Sequence, residues 1–124
     1  MVIDDDKSIN KMLEFILKSQ GYDPILASDG KEALALLQNK DCPLPDIILT
    51  DYAMPRMDGC EFTETISRLE RFQNIPVVIM TGSEVDEDSM PKTKNYKHFI
   101  RKPFDIKKLL EIIKQLTVTL VYAI

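Results

Sequence analysis

Ile47-Ile48-Leu49-Thr50-Asp51-Tyr52-Ala53-Met54-Pro55-Arg56-Met57-Asp58-Gly59 is the stretch around which the chain is organised. It opens on a short apolar run with β-branched residues, which suits a strand buried on both faces. It closes on Met54 to Gly59, where Pro55 and Gly59 punctuate a loop. Asp51 falls at the point where the strand ends. In open parallel α/β sheets, ligands bind just beyond the carboxyl ends of strands. An acid placed there is either a turn residue or a reactive group, and the rest of the chain decides between the two.

Outward from this stretch, strand and helix patterns alternate. Met1-Val2-Ile3 is an apolar run stopped by Asp4-Asp5-Asp6. Ile9, Met12, Leu13 and Ile16 then recur at the spacing of an amphipathic helix, which Gly21 stops. Ser8 caps or begins that helix, in competition with the preceding acids. Pro24-Ile25-Leu26-Ala27 predicts a second strand and Ser28-Asp29-Gly30 a turn. Lys31 to Gln38 carries Ala33, Leu34 and Leu37 on one helical face. A proline-containing loop, Asn39 to Pro45, leads into the third strand, Ile47 to Thr50.

Downstream, Glu61 to Phe72 has Phe62, Ile66 and Leu69 in helical register. Val77-Val78-Ile79-Met80 is a fourth strand ending at Thr81-Gly82. Glu84 to Met90 is acidic and meets Pro91, so any helix there is short or broken. Lys97 to Arg101 is a fifth strand. Ile106, Leu109, Leu110, Ile113 and Leu116 mark a last long helix with Asp105 as its cap. Residues 117–124 extend that helix, pair as a strand or begin a linker.

Five alternations of strand and helix call for an α/β fold with a parallel sheet and helices on both faces. Crossovers are expected to be right-handed. The compact five-strand solution is the flavodoxin-like (βα)5 arrangement, strand order 2-1-3-4-5, with its switch point between strands 1 and 3. Both of those strands end in Asp.

A chain of 124 residues is one domain by size, 1–124. Sixteen basic against twenty acidic residues give a net charge of −4, which argues against nucleic-acid binding. Cys42 and Cys60 lack C-x-x-C spacing and read as free thiols in a reducing compartment. No signal peptide and no apolar run near about 18 residues is seen, so the expected location is cytoplasmic, away from membranes. His98 is the sole histidine and has no second histidine to form a ligand pair.

Four polar features fall at predicted carboxyl ends of strands: Asp4-Asp5-Asp6, Asp51, Thr81 and Lys102. In the expected fold they converge on one edge of the sheet. Clustered carboxylates repel, and their pKa values rise unless a cation intervenes. Mg²⁺ suits such a site, with hard oxygen ligands at about 2.0–2.1 Å and several retained waters. Asp5 and Asp51 each offer one oxygen, the Ala53 carbonyl a third, and Asp4 acts through a bound water. A carboxylate beside Mg²⁺ can attack a phosphoryl group. Lys102 neutralises one transferring oxygen and the Thr81 hydroxyl binds another.

With V-I-D-D-D-K-S-I, L-T-D-Y-A-M-P-R-M-D-G, V-V-I-M-T-G and F-I-R-K-P-F in order, the chain resembles the receiver domains of two-component response regulators, the CheY-like family. The resemblance covers essentially the whole chain. It implies that Asp51 accepts a phosphoryl group from a sensor histidine kinase or histidine phosphotransfer protein. It implies that Asp4 and Asp5 are the acidic pair, with Asp6 replacing one of them if the register slips by one. Thr81 is then the switch hydroxyl, Lys102 the phosphate-facing lysine, and Lys102-Pro103 the family's cis peptide. Phe99 corresponds to the aromatic that swings inward behind the switch hydroxyl, where a Tyr is common, and is equally an ordinary core aromatic by its own pattern. A downstream effector protein or domain is the implied output. A homodimer is left open, because Ser83 to Tyr96 matches the usual fourth helix poorly and no dimer mode carries over. Ala53 and Ser83 lie where the family tunes hydrolysis, and neither orients water well, so a long-lived phosphoryl state is expected.

Two alternatives come from other classes. A receiver-like interaction module would bind partners without phosphorylation, against the intact acidic pair, Asp51, Thr81 and Lys102. A Mg²⁺-dependent aspartyl phosphatase needs a second Asp as proton donor, and that place holds Ala53. The expected protein is therefore a switch that promotes only its own phosphorylation and dephosphorylation, not an enzyme.

Overall fold

Alternate residues of each central strand feed two different cores, and that alternation fixes where every helix lies. The computed structural model describes residues 1–82 and 84–122, with 118–122 by their backbone alone. Its elements are β1 (Val2–Ile3), α1 (Lys7–Ser19), β2 (Leu26–Ala27), α2 (Gly30–Gln38), β3 (Ile48–Asp51), α3 (Gly59–Ser67), β4 (Val77–Thr81), a 3₁₀ turn (Glu87–Ser89), β5 (Tyr96–Arg101) and α4 (Ile106–Tyr122). The strands form one parallel sheet in the order β2-β1-β3-β4-β5. This is the flavodoxin-like order expected from the sequence.

Ile3, Ile48, Val77 and Ile79 pack with Ala33 and Leu37 of α2 and Phe62 and Ile66 of α3. Val2, Leu49, Val78 and Met80 pack with Leu13 and Leu17 of α1 and Leu109 and Ile113 of α4. Successive strand side chains point to opposite faces, so an unbroken apolar run is what a doubly covered strand requires.

Local chemistry sets the helix bounds. Asp6, rather than Ser8, caps α1, accepting from the Ser8 and Ile9 N–H groups at 2.9 and 3.4 Å. The buried stripe of α1 is Asn10, Leu13 and Leu17. Met12, placed on the apolar face by its spacing, is 41% exposed, because it lies one residue off the stripe through Leu13. Helix α3 starts earlier and ends earlier than Glu61 to Phe72, since the Asp58 side chain caps it through the Glu61 N–H at 2.8 Å. Thr63, Thr65 and Ser67 bond back to the carbonyls of Gly59, Glu61 and Glu64, a competition with the helix that weakens its end. Asp105 caps α4 as expected, through the Lys107 and Lys108 N–H groups.

Among the described residues, the connection from β4 to β5 holds only the 3₁₀ turn, in keeping with Pro91 and the acidic run. Met90 anchors it by burying in the α2/α3 core. Helix α4 runs on through residues 117–122. Residues 123–124 lie outside the described residues.

Candidate functional site

Strands β1 and β3 lie side by side at the middle of the sheet. Ile3 pairs with Thr50, so the next residues, Asp4 and Asp51, emerge together at the carboxyl edge. Asp4 is 1% exposed and Asp51 8%, while Asp5 faces solvent. One oxygen from each of Asp4, Asp5 and Asp51 lies within 4.8 Å of the others. Asp6 stands apart, its side chain committed to capping α1.

Lys102 follows β5 directly, and its N–H donates to the Thr81 carbonyl at 2.7 Å. Its ammonium donates to Asp4 Oδ2 at 2.8 Å and Asp51 Oδ1 at 3.1 Å. Asp4 Oδ1 accepts the Asp6 N–H at 2.9 Å. Asp51 Oδ1 also accepts the Tyr52 N–H at 3.0 Å. Among the described residues, both hydrogen bonds to the Asp51 carboxylate therefore fall on one oxygen. Burial and then the Asp4 charge raise the Asp51 pKa above its ordinary value, and Lys102 opposes this only in part. Burial pulls the Lys102 pKa down, but the bonds and charges of Asp4 and Asp51 outweigh it and hold the ammonium more strongly protonated than usual.

Thr81 is buried at the end of β4, opposite Arg101 of β5. Phe99 is half-buried, with the Arg101 guanidinium 5.6 Å over its ring. That guanidinium also donates to the Val85 carbonyl at 2.9 Å, tying the β4–β5 connection to β5. A cleft of about 530 Å³ opens beside Thr81, Glu84, Arg101 and Lys102. Ala53 is exposed in the loop after β3, and Ser83 lies outside the described residues. The Lys102-Pro103 bond is cis, as the resemblance implied. His98 is exposed on β5. Cys42 and Cys60 are free thiols, and burial, then Asp58 and Glu64, push the Cys60 pKa up to about 11.

Several supporting residues escape a reading of the sequence. Asn10 donates to the carbonyls of Asp4 and Ala27 at 2.8 and 3.1 Å, tying the ends of β1 and β2 together behind the acids. Its signal is a polar residue on the apolar stripe of α1. Gly59 lies so close to β3 that a Cβ there would collide with the Asp51 carbonyl. Asp29 and Arg56 form an ion pair between the start of α2 and the loop after β3.

The sequence matches the family model for the response regulator receiver domain over residues 1–114. The chain belongs to that family. Protein PilG of Pseudomonas aeruginosa is 34% identical over 115 residues, covering 92% of this chain and 83% of PilG. The phosphate regulon transcriptional regulatory protein PhoB of Escherichia coli is 32% identical over 115 residues, covering 92% of this chain and 49% of PhoB. The signal receiver domain of a signal transduction histidine kinase from Syntrophus aciditrophicus has a TM-score of 0.83 at 26% identity, covering 95% of this chain and 88% of that one. Receiver domains are switch domains of two-component systems rather than ordinary enzymes, and the acidic cluster of this one lies where β1 and β3 meet.

Proposed function

We propose that residues 1–124 act as one receiver domain, a phosphoacceptor switch in which Asp51 takes a phosphoryl group from a phosphohistidine. The donor is a sensor histidine kinase or a histidine phosphotransfer protein. The observation that carries this reading is the Lys102 ammonium bridging Asp4 and Asp51 beside Asp5. Such a bridge leaves a carboxylate nucleophile, a cation for a transferring oxygen and a set of hard oxygen donors in one place.

Those donors fit Mg²⁺, which favours carboxylate and carbonyl oxygens. Asp5, Asp51 and the Ala53 carbonyl would hold it. Asp4 would act through water, because its Oδ1 and Oδ2 are already engaged by the Asp6 N–H and by Lys102. When bound, Mg²⁺ supplies Lewis-acid polarisation of a phosphoryl oxygen.

The chain's own residues do the rest. Asp51 Oδ1 is held by Tyr52 and Lys102, which leaves Oδ2 as the attacking oxygen. Its new O–P bond forms as the donor's P–N bond breaks, and the electron pair leaves with the imidazole. Lys102 shifts a hydrogen bond from carboxylate to phosphoryl oxygen. The Thr81 hydroxyl donates to another oxygen of the group. The phosphoryl group adds about −1.5 to −2 of charge and three acceptors. The response is a two-state change over residues 81–99, with Thr81 drawn toward the phosphoryl and Phe99 moving in behind it. Phe99 moves only if the Arg101 guanidinium over its ring adjusts, so the Arg101 bond to Val85 reports the change.

The output is altered binding of an effector protein or domain, in the cytoplasm. No helix among the described residues is long and apolar enough to cross a membrane. Incubation with Mg²⁺ and acetyl phosphate, or with beryllofluoride, tests the reading. The expected result is an adduct absent from Asp51→Asn, and an adduct of equal yield in that variant defeats it.

A further inference from the structure

We infer that Asp29 and Arg56 form a positioning pair for the loop that carries the Ala53 carbonyl, holding it in register with Asp51. This rests on the reading of Ala53 as a metal ligand given above. Residues 52–58 join β3 to α3. The base of that loop is closed, because the Gly59 N–H donates to the Tyr52 carbonyl at 3.0 Å and the Gly59 backbone packs against that of Asp51. Closing the base does not fix the far end.

Two contacts fix it, both to the start of α2. Met57 lies over Gly30, where an added Cβ would sit 2.8 Å from the Met57 Cγ. The Arg56 guanidinium pairs with Asp29 Oδ2. Asp29 is a rigid anchor: its side chain is 3% exposed, and Oδ1 accepts the Glu32 N–H at 2.9 Å to cap α2. One oxygen serves the helix and the other serves the loop.

Arg56 has φ 68, a left-handed conformation that a residue with a Cβ seldom adopts. Glycine would sit there without strain. An arginine in that place is explained by what its side chain reaches. The pair thus sets the path of the backbone leading from Ala53, without either side chain touching the metal.

Isothermal titration of metal-stripped protein with Mg²⁺ tests this. Arg56→Gly relieves the backbone strain while removing the guanidinium. Asp29→Asn keeps an oxygen to cap α2 while removing the charge. Each single variant is expected to weaken Mg²⁺ binding about tenfold, the range of outer-shell supports. The double variant should be no weaker than the worse single, because either change frees the same loop. Arg56→Lys should recover only part, since a point charge lacks the guanidinium fork. In the metal-free variants, amide exchange at Met57, whose N–H bonds to the Pro55 carbonyl at 2.7 Å, should quicken. Variants that melt lower yet bind Mg²⁺ within twofold of wild type would show a merely structural pair and overturn the inference, as would additive effects in the double variant. Wild-type protein that binds no Mg²⁺ at all would remove the metal site itself, an outcome distinct from equal binding by all variants.

Discussion

Asp51→Asn should make the metal-free protein more stable. The Asp51 and Asp4 oxygens lie within 4.8 Å, which at an effective dielectric near 20 is a repulsion of about 3.5 kcal/mol. The Lys102 ammonium at 3.1 Å returns an attraction of about 5 kcal/mol on the same scale. Charges alone would favour the ionised form by about 2 kcal/mol. Burial to 8% exposure reverses that balance, since the pKa of Asp51 is displaced upward with burial as the largest cause. Each unit of upward displacement is about 1.4 kcal/mol against the charged fold above the folded pKa. An amide of the same shape keeps an acceptor for Tyr52 and Lys102 and removes the charge. The expected result is a more stable variant with a raised Tm, each 1 kcal/mol gained being worth about 3–5 °C in a domain of this size. Unfolded Asp51 loses its proton at lower pH than folded Asp51, so wild type loses stability as pH rises from the unfolded to the folded value. The variant's advantage is therefore full above the folded value and vanishes below the unfolded value. Mg²⁺ at ten times its Kd adds about 1.4 kcal/mol to wild type and less to the variant, so the gap should close. Thermal melts at neutral pH in EDTA, repeated in Mg²⁺, decide it. An Asn variant that melts below wild type in EDTA would refute the reasoning.

Lys102→Met strands the buried Asp4 and Asp51 carboxylates and should cost about 2–3 kcal/mol in urea unfolding, less than a fully buried pair because the lysine side chain is 18% exposed; Mg²⁺ should restore part of it. Gly59→Ala forces a Cβ onto the Asp51 carbonyl and should cost about 3 kcal/mol by the same measurement, with loss of phosphoryl uptake in whatever folds. Ala53→Asn should shorten the phosphoryl lifetime by placing an amide that can orient water, and an unchanged decay rate would count against the reading of Ala53.

The sequence revealed the fold because the central strands run apolar at successive positions until their polar carboxyl ends, Thr50-Asp51 and Thr81, a pattern that suits a doubly covered parallel sheet. Strand order followed from the alternation with helices. Asp4, Asp51 and Lys102 stood out as candidates because each falls at or just beyond the carboxyl end of an expected strand. Helix ends were less legible, because Asp6 and Ser8 compete for one cap and the hydroxyls of Thr63, Thr65 and Ser67 compete with the helix they sit in. The supports of the site were hidden. Nothing in Met-Pro-Arg-Met-Asp-Gly announces that its arginine takes φ 68 and reaches a carboxylate in the turn before α2. Asn10 was visible only as one polar residue among apolar neighbours, and its target carbonyls could not be named without the strand ends in place.

The charge balance of the site connects its stability to its function. Asp4, Asp5 and Asp51, when ionised, leave two negative charges uncompensated after Lys102 is counted. Neutralising all of them with protein cations would remove the cost to the fold, but it would also occupy the oxygens that, on the proposed function, meet a metal and a phosphoryl group. One lysine is enough to hold the two buried acids together and too little to satisfy them. A divalent cation fits the deficit in charge and in donor type. A phosphoryl group then brings about two further negative charges, and Lys102, already within reach of the acceptor oxygen, is the cation positioned to exchange partners. On the proposed function, the same incomplete neutralisation that strains the resting fold is what would make the site responsive to both ligands.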